Sequence, residues 1–366
     1  MKVLLVSPFG EHLNGGIAAW TGHIMSYYEH NNDNSVELRL LQNKHSKATF
    51  ATTSLCRRIY NGISSYLPLY RSFVKETKKE PYDIVHICTS ASISLIKDIL
   101  ITKHARKKGI KTIVHCHFGR IPELFAYNNW EKRLFTELLK YTDHLVVMDK
   151  KSLDSLIQAG YHNVQYVPNP LAVSVQQIVI EKAGVSRIPN KIIFVGHVVA
   201  SKGVVELVEA CSKLRVRDLY IIGPLPDENL KNRLIDIEKK SQGKWLHFTG
   251  ALPIERVIEE MQSCAIFALP TYTEGFPNVI IESMACGCPI VTTPVGAIPE
   301  MLDIHGEDKC GLCVAPKDAE ELMGTIQFLL DNPKEARRLG DRARERVYKE
   351  YSMPIVWDKL VDVWIN

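Results

Sequence analysis

The sequence predicts an α/β protein of two doubly wound domains that face each other across a cleft. Three observations carry this. Short apolar runs rich in β-branched residues alternate with longer stretches of helical period along the chain. The alternation stops near Pro168-Asn169-Pro170 and restarts at Pro189-Asn190-Lys191. The 366 residues are enough for two domains, each with its own core. Strands that alternate with helices form parallel sheets covered on both faces, so each domain is expected to be Rossmann-like. Ligands of such sheets sit beyond the carboxyl ends of the strands, which places the substrate crevice between the domains, closed by hinge motion.

In the first half the expected strands are Val3–Ser7, Val36–Leu41, Asp83–Ile87, Lys111–His115, His144–Met148 and Val164–Val167. Helical period fills Gly16–Glu29, Leu55–Lys79, Ser92–Lys108 and Glu131–Lys140. In the second half strands are expected at Lys191–Val195, Asp218–Ile222, Leu246–Phe248, Ile266–Leu269 and Pro289–Thr292. Helices separate them near Val204–Leu214, Glu228–Ser241, Pro253–Ser263 and Val279–Ala285. The domains are therefore read as 1–170 and 191–350, joined by a polar, poorly periodic linker at 171–190. The final stretch is a charged helix broken at Met353-Pro354. The amphipathic segment 351–366 is expected to pack back on the first domain.

Composition narrows the function. Hydrophobic residues make up 46% and charged residues 23%, the profile of a globular chain. No apolar run approaches the roughly 20 residues that span a bilayer, and the start reads as a buried strand rather than a signal peptide. The expected location is cytoplasmic, with peripheral contact at the inner membrane face. Residues 1–180 hold 22 Lys/Arg against 14 Asp/Glu, and residues 181–366 hold 23 against 27. A basic first half and a mildly acidic second half suggest different partners for each.

The stretch Thr273-Glu274-Gly275-Phe276-Pro277-Asn278-Val279-Ile280-Ile281-Glu282 follows the strand Ile266–Leu269, with a glycine-containing turn opening a helix. Main-chain N–H groups and the dipole at a helix start suit a phosphate or a sugar hydroxyl. Glu274 stands at the turn, and Glu282 two turns into the helix, where a carboxylate accepts from ribose hydroxyls. The plainer alternative is a surface helix with two solvated acids.

The stretch resembles the donor signature of the retaining glycosyltransferases of family four, the "group 1" glycosyl transferases with the two-domain GT-B architecture. That signature is a Glu, seven residues and a second Glu, with Gly-Phe-Pro-Asn inside. The resemblance covers nearly the whole chain. It implies that Glu274 and the amides of Gly275, Phe276, Pro277 and Asn278 hold the donor sugar, and that Glu282 holds the nucleotide ribose. It also implies transfer to a glycan or lipid-linked hydroxyl in surface polysaccharide synthesis, with UDP-sugars ahead of GDP-sugars as donors.

Three further pieces fall in the same order. Phe194-Val195-Gly196-His197 leads to Lys202-Gly203, and a cation there neutralises a leaving diphosphate. The family pattern has Arg at the first cationic position, whereas this chain has His197 and keeps Lys202. A neighbouring diphosphate favours protonated imidazole; the alternatives are a single hydrogen bond, or no role. Asn14-Gly15-Gly16 allows close backbone approach and opens a helix; it is similar to the family's phosphate-contacting loop, although a simple flexible loop reads the same. His115-Cys116-His117-Phe118-Gly119-Arg120 ends a first-domain strand. The resemblance implies a sugar-contacting His, read as His117, with His115 pointing the other way and Arg120 at the acceptor or a phosphate. Metal binding by these His and Cys residues lacks further partners.

Two other patterns have competing readings. Cys286, Cys288, Cys310 and Cys313 are either four thiolates for zinc or small apolar residues beside turn glycines. Leu55–Lys79 interleaves Arg57, Arg58, Arg71, Lys75, Lys78 and Lys79 with Tyr60, Tyr66, Leu67, Leu69, Tyr70 and Phe73. That suits an anionic membrane or lipid-linked acceptor, or equally a solvated helix with a core face. No recognition motif supports nucleic acid.

Front-side transfer without a metal or other cofactor is therefore expected, because no Asp-X-Asp stands at a strand end and no second carboxylate is evident as nucleophile. A sugar-nucleotide epimerase and a non-catalytic sugar-nucleotide binder are the alternatives. A nicotinamide-dependent dehydrogenase lacks its Gly-X-Gly-X-X-Gly after the first strand.

Overall fold

The computed structural model describes residues 1–9, 15–31, 35–42, 55–214 and 217–366, with 55–65 as backbone only. Asn14 and the side chains of Arg57, Arg58 and Tyr60 lie outside the described residues. The chain divides into two compact units, Met1–Asn169 with Val356–Asn366, and Pro170–Ile355.

The first unit runs β1 (Lys2–Ser7), α1 (Gly16–His30), β2 (Glu37–Gln42), α2 (Leu55–Lys79), β3 (Ile84–Thr89), α3 (Leu95–Lys107), β4 (Lys111–Cys116), α4 (Ile121–Ala126), α5 (Trp130–Leu139), β5 (His144–Val147), α6 (Lys150–Gln158) and β6 (Val164–Tyr166). Its six strands are all parallel in the order β2-β1-β3-β4-β5-β6. Central β3 is buried at every position, as a strand covered on both faces must be; in β2, at the edge, only Leu38 is buried, and Glu37, Arg39 and Gln42 are exposed. The described half of α2 spends its apolar face inside the unit: Leu69 and Phe73 pack with Leu4, Val85 and Ile101, while Arg71, Lys75, Lys78 and Lys79 stay exposed.

The second unit runs α7 (Val173–Glu181), β7 (Lys191–Val195), α8 (Val204–Ser212), β8 (Asp218–Ile222), α9 (Glu228–Lys240), β9 (Leu246–Gly250), α10 (Ile254–Ser263), β10 (Ile266–Leu269), α11 (Asn278–Ala285), β11 (Ile290–Thr292), α12 (Ile298–Met301), β12 (Leu312–Cys313), α13 (Ala319–Asp331) and α14 (Pro333–Glu350). The strand order is β12-β11-β10-β7-β8-β9, again all parallel. Local chemistry sets the helix starts. Asp227 accepts from the amides of Asn229 and Leu230 to cap α9, Asp318 accepts from Glu321 to cap α13, and Pro333 opens α14.

Two boundaries differ from the sequence reading. The interval 171–190 contains α7, which buries Val175 and Val179 and belongs to the second unit. Its polar ends masked a short apolar helix. The last helix, α15 (Met353–Ile365), crosses the division, and from Val356 onward it belongs to the first unit. There Trp357 meets Tyr27 edge-on at 5.6 Å, and the Trp364 indole donates to His86 Nδ1 at 3.0 Å.

Candidate functional site

The strand order of the second unit reverses direction at β7, whose neighbours are β8 and β10. The loops that leave the carboxyl ends of β7 and β10 therefore flank the switch point, where doubly wound sheets place ligands. Lys202 lies on the first loop, in a 3₁₀ turn at Ala200–Lys202, and Glu274 on the second. The two side chains form an ion pair, with Lys202 Nζ on Glu274 Oε1. Both keep some solvent contact, at 27% and 13% exposure.

The loops are fastened to each other through the main chain. Tyr272 N donates to Ser201 O at 2.9 Å, and Thr271 Oγ1 donates to the same carbonyl at 3.4 Å. Tyr272 OH donates to Glu206 on α8 at 2.5 Å. Gly203 follows Lys202 in the left-handed region, φ 69°, where a Cβ would stand 1.9 Å from Pro270 O. A third loop closes the site. Gly296, φ 56°, would drive a Cβ to 2.4 Å from Glu274 O, and Ala297 N donates to Gly275 O at 2.9 Å. The sequence reading missed Ser201, Tyr272 and Gly296. Thr293-Pro294-Val295-Gly296 after the β11 run was the available signal, a turn motif at a strand's carboxyl end.

Pro277 precedes α11, and Asn278 is its first residue. Phe276 is buried and meets Tyr351 at 5.9 Å, which anchors the turn. The Glu282 side chain retains a little exposure, but its carboxyl is crowded by protein, and that desolvation lifts it to about 7. His197 is exposed on the loop after β7, with the neighbouring amide of Val198 bonded to Pro224 O at 3.0 Å.

In the first unit the corresponding switch point lies between β1 and β3. Gly15 precedes α1 and Gly16 opens it; a Cβ at either meets no described atom within 4 Å. Their lack of side chains is thus not demanded by packing among the described residues.

His115 and His117 do not diverge. Residues two apart on an extended strand share a face, and their ring centroids lie 4.0 Å apart, tilted by 31°. His86 on β3 completes the group, its Nε2 3.4 Å from His115 Nδ1. Because an indole only donates, His86 Nδ1 accepts from Trp364 and its proton resides on Nε2, facing His115 Nδ1. Burial pushes His86 and His117 down to about 3 and His115 well below its usual range, so all three are neutral. His115 Nε2 and His117 Nε2 are buried without partners among the described residues. Arg120 does not project freely, because Glu131 takes its fork with both oxygens, Nη1 to Oε2 at 2.8 Å.

His86, Cys88 and His115 form the one cluster among the described residues close enough to share an ion, within 4.8 Å. As arranged, the Trp364-to-His86-to-His115 chain spends the facing lone pairs on hydrogen bonds. Cys286, Cys288, Cys310 and Cys313 do not assemble into a ligand set; Cys288 instead meets Cys264 at 3.9 Å, and Cys310 points at Met301 O. No described helix is long and apolar enough to cross a membrane.

Two family descriptions match consecutive stretches, "Glycosyltransferase Family 4" over residues 30–174 and "Glycosyl transferases group 1" over residues 176–346. The chain is similar to the MMP alpha-(1->4)-mannosyltransferase of Mycolicibacterium hassiacum, 27% identical over 78% of this chain and 71% of that one. It is also similar to the capsular polysaccharide biosynthesis glycosyltransferase CapM of Staphylococcus aureus, 28% identical over 47% of this chain and 44% of that one. Among solved structures, HepE of Anabaena in complex with UDP superposes with a TM-score of 0.73 at 15% identity, covering 100% of this chain and 99% of that one. The chain belongs to glycosyltransferase family 4 and has the GT-B fold.

Proposed function

We propose that this glycosyltransferase moves a hexosyl or related sugar from a nucleotide donor to a hydroxyl of a glycan or lipid-linked acceptor, in the assembly of a surface polysaccharide. The donor is a UDP-sugar, with a GDP-sugar as the second choice. The observation that carries the reading is the Lys202–Glu274 pair, fastened at the switch point beside the amino end of α11. The printed ligand of HepE, UDP, and the sugar-transfer names of the two relatives support it.

In this reading the diphosphate draws Lys202 away from Glu274, and the freed carboxylate takes a sugar hydroxyl. Amides from Gly275 to Asn278 orient the sugar, and ionised Glu282 accepts from the ribose. His117 offers an unspent ring N–H or lone pair to the sugar, and Gly15 and Gly16 leave room for phosphate oxygens. As the bond from the sugar carbon to the diphosphate breaks, the acceptor oxygen bonds to that carbon from the same face. The acceptor proton passes to the departing phosphate oxygen, so configuration is retained and no metal is needed. Lys202, with His197, stabilises the growing charge. Arg120 stays a phosphate or acceptor contact only through the edge that Glu131 leaves open. The exposed cations of α2 would attract an anionic lipid surface.

The test is donor turnover in EDTA, with and without candidate acceptors, read by nucleotide release and by the anomeric configuration of the product. Acceptor-dependent release with a retained product is expected. Acceptor-independent formation of an altered sugar would mean an epimerase, and binding without turnover a non-catalytic role. Loss of turnover in EDTA, restored by a divalent ion, would overturn metal independence.

A further inference from the structure

At the amino ends of β10 and β11, the sheet edge opposite Lys202 and Glu274, the second unit has a cavity of 310 Å³. Arg187, Arg344, Gln262 and Tyr348 supply its polar lining, and Val179 and Ile180 an apolar wall. Arg187 donates to Cys264 O at 2.6 Å and through Nη2 to Cys286 O and Gly287 O; Arg344 donates to Cys286 O at 3.1 Å. All these acceptors are main-chain carbonyls. Neither guanidinium has a carboxylate partner among the described residues, so two positive charges stand at one cavity uncompensated by acids.

Gln262 adds an independent sign of a ligand. It is only 8% exposed, and its Nε2 donates to Val179 O at 2.8 Å, which fixes the amide orientation. Its Oε1 is buried without a partner. A buried acceptor left unsatisfied is costly unless something donates to it. The lining therefore asks for an anion at the arginines, a hydroxyl at Gln262 and a carbon skeleton along Val179 and Ile180. Planar guanidinium forks match phosphate oxygens.

We propose that this cavity binds a small hydroxylated phosphate ester at a site separate from the donor site. Its position has a mechanical consequence. The Cys286 and Gly287 carbonyls, held by Arg187 and Arg344, end α11, the eight-residue helix whose other end carries the Gly275–Asn278 turn. A ligand that competes for the two guanidiniums acts on the same short rod.

Calorimetric titration of the full chain with a hexose 6-phosphate, glycerol 3-phosphate and inorganic phosphate tests the site without any donor present. Arg344 and Ala183 are both exposed, so Arg344→Gln and Ala183→Glu should fold, and unchanged melting temperatures check this. Saturable one-to-one binding of an ester is expected, weakened at least about 10-fold by each variant and unchanged by Lys202→Ala. Binding lost with Lys202→Ala would place the ester in the donor site and overturn the proposal. So would binding indifferent to both cavity variants, equal affinity for inorganic phosphate, or no saturation by any probe at millimolar concentration. Because nucleotide turnover is not read, failure here leaves the glycosyl-transfer reading standing.

Discussion

Lys202 Nζ and Glu274 Oε1 are ion-paired across the two loops that flank the switch point of the second sheet. Each is also the side chain that the donor reading needs separately, the cation for the diphosphate and the acid for the sugar. The pair parks both groups near their working positions without leaving either buried and uncompensated. A part-exposed pair contributes little to stability, at most about 1 kcal/mol. Lys202→Ala is therefore expected to leave unfolding by denaturant almost unmoved while cutting kcat/KM by about 10² to 10³, the usual scale for a lost charge-stabilising donor. A large stability loss with modest kinetic loss would make the pair structural.

Glu282 gives a pH signature. Its carboxyl is raised from 4.5 to about 7, so the folded protein holds a proton that the unfolded chain has already released between those values. Stability contributed by this group is complete below about 4.5 and declines as pH rises to about 7. Donor binding runs the other way, because only the ionised carboxylate accepts from both ribose hydroxyls. Nucleotide affinity should rise between pH 6 and 8, and Glu282→Gln should flatten that rise and weaken binding about 10-fold or more at pH 8. A wild-type affinity that is level across this range contradicts the assignment.

His197 stands exposed on the loop after β7 that also carries Lys202. His197→Ala is expected to lower kcat about 10-fold, the scale of one lost hydrogen bond to the leaving diphosphate, while His197→Arg keeps turnover. Undiminished turnover in His197→Ala would remove His197 from the mechanism.

Gly16 separates folding from function. A Cβ there meets no described atom, and Ala is a better helix former than Gly at the start of α1. Gly16→Ala should leave stability unchanged or raise it by up to about 1 kcal/mol, while donor turnover drops as the methyl intrudes on the phosphate. Unimpaired turnover would show that nothing approaches Gly16 closely.

Much of this was legible in the residues. The strands of the second sheet at Lys191–Val195, Asp218–Ile222 and Ile266–Leu269 appear with the bounds their apolar runs suggest, because parallel strands covered on both faces are continuous apolar blocks. Lys202, Glu274 and Glu282 were marked by the resemblance to the family's motifs, but the pairing of Lys202 with Glu274 was not, since 72 residues separate them and only the fold joins them. The short elements α7 and β12 were missed. One is a nine-residue helix inside a polar interval, and the other a two-residue strand whose Leu312-Cys313 looked like part of a thiol pair. His115 shares a face with His117 through the two-residue period of the strand, whereas Glu131, which engages Arg120, carries no local signal.

The most direct measurement of the central claim is calorimetric titration of UDP and of a UDP-sugar into wild type, Lys202→Ala, Glu274→Gln and Glu282→Gln. The account predicts that Lys202→Ala and Glu282→Gln weaken both ligands by about 10-fold or more, whereas Glu274→Gln weakens the UDP-sugar and spares UDP. Wild-type affinities in all three variants, with every protein folded, would contradict it.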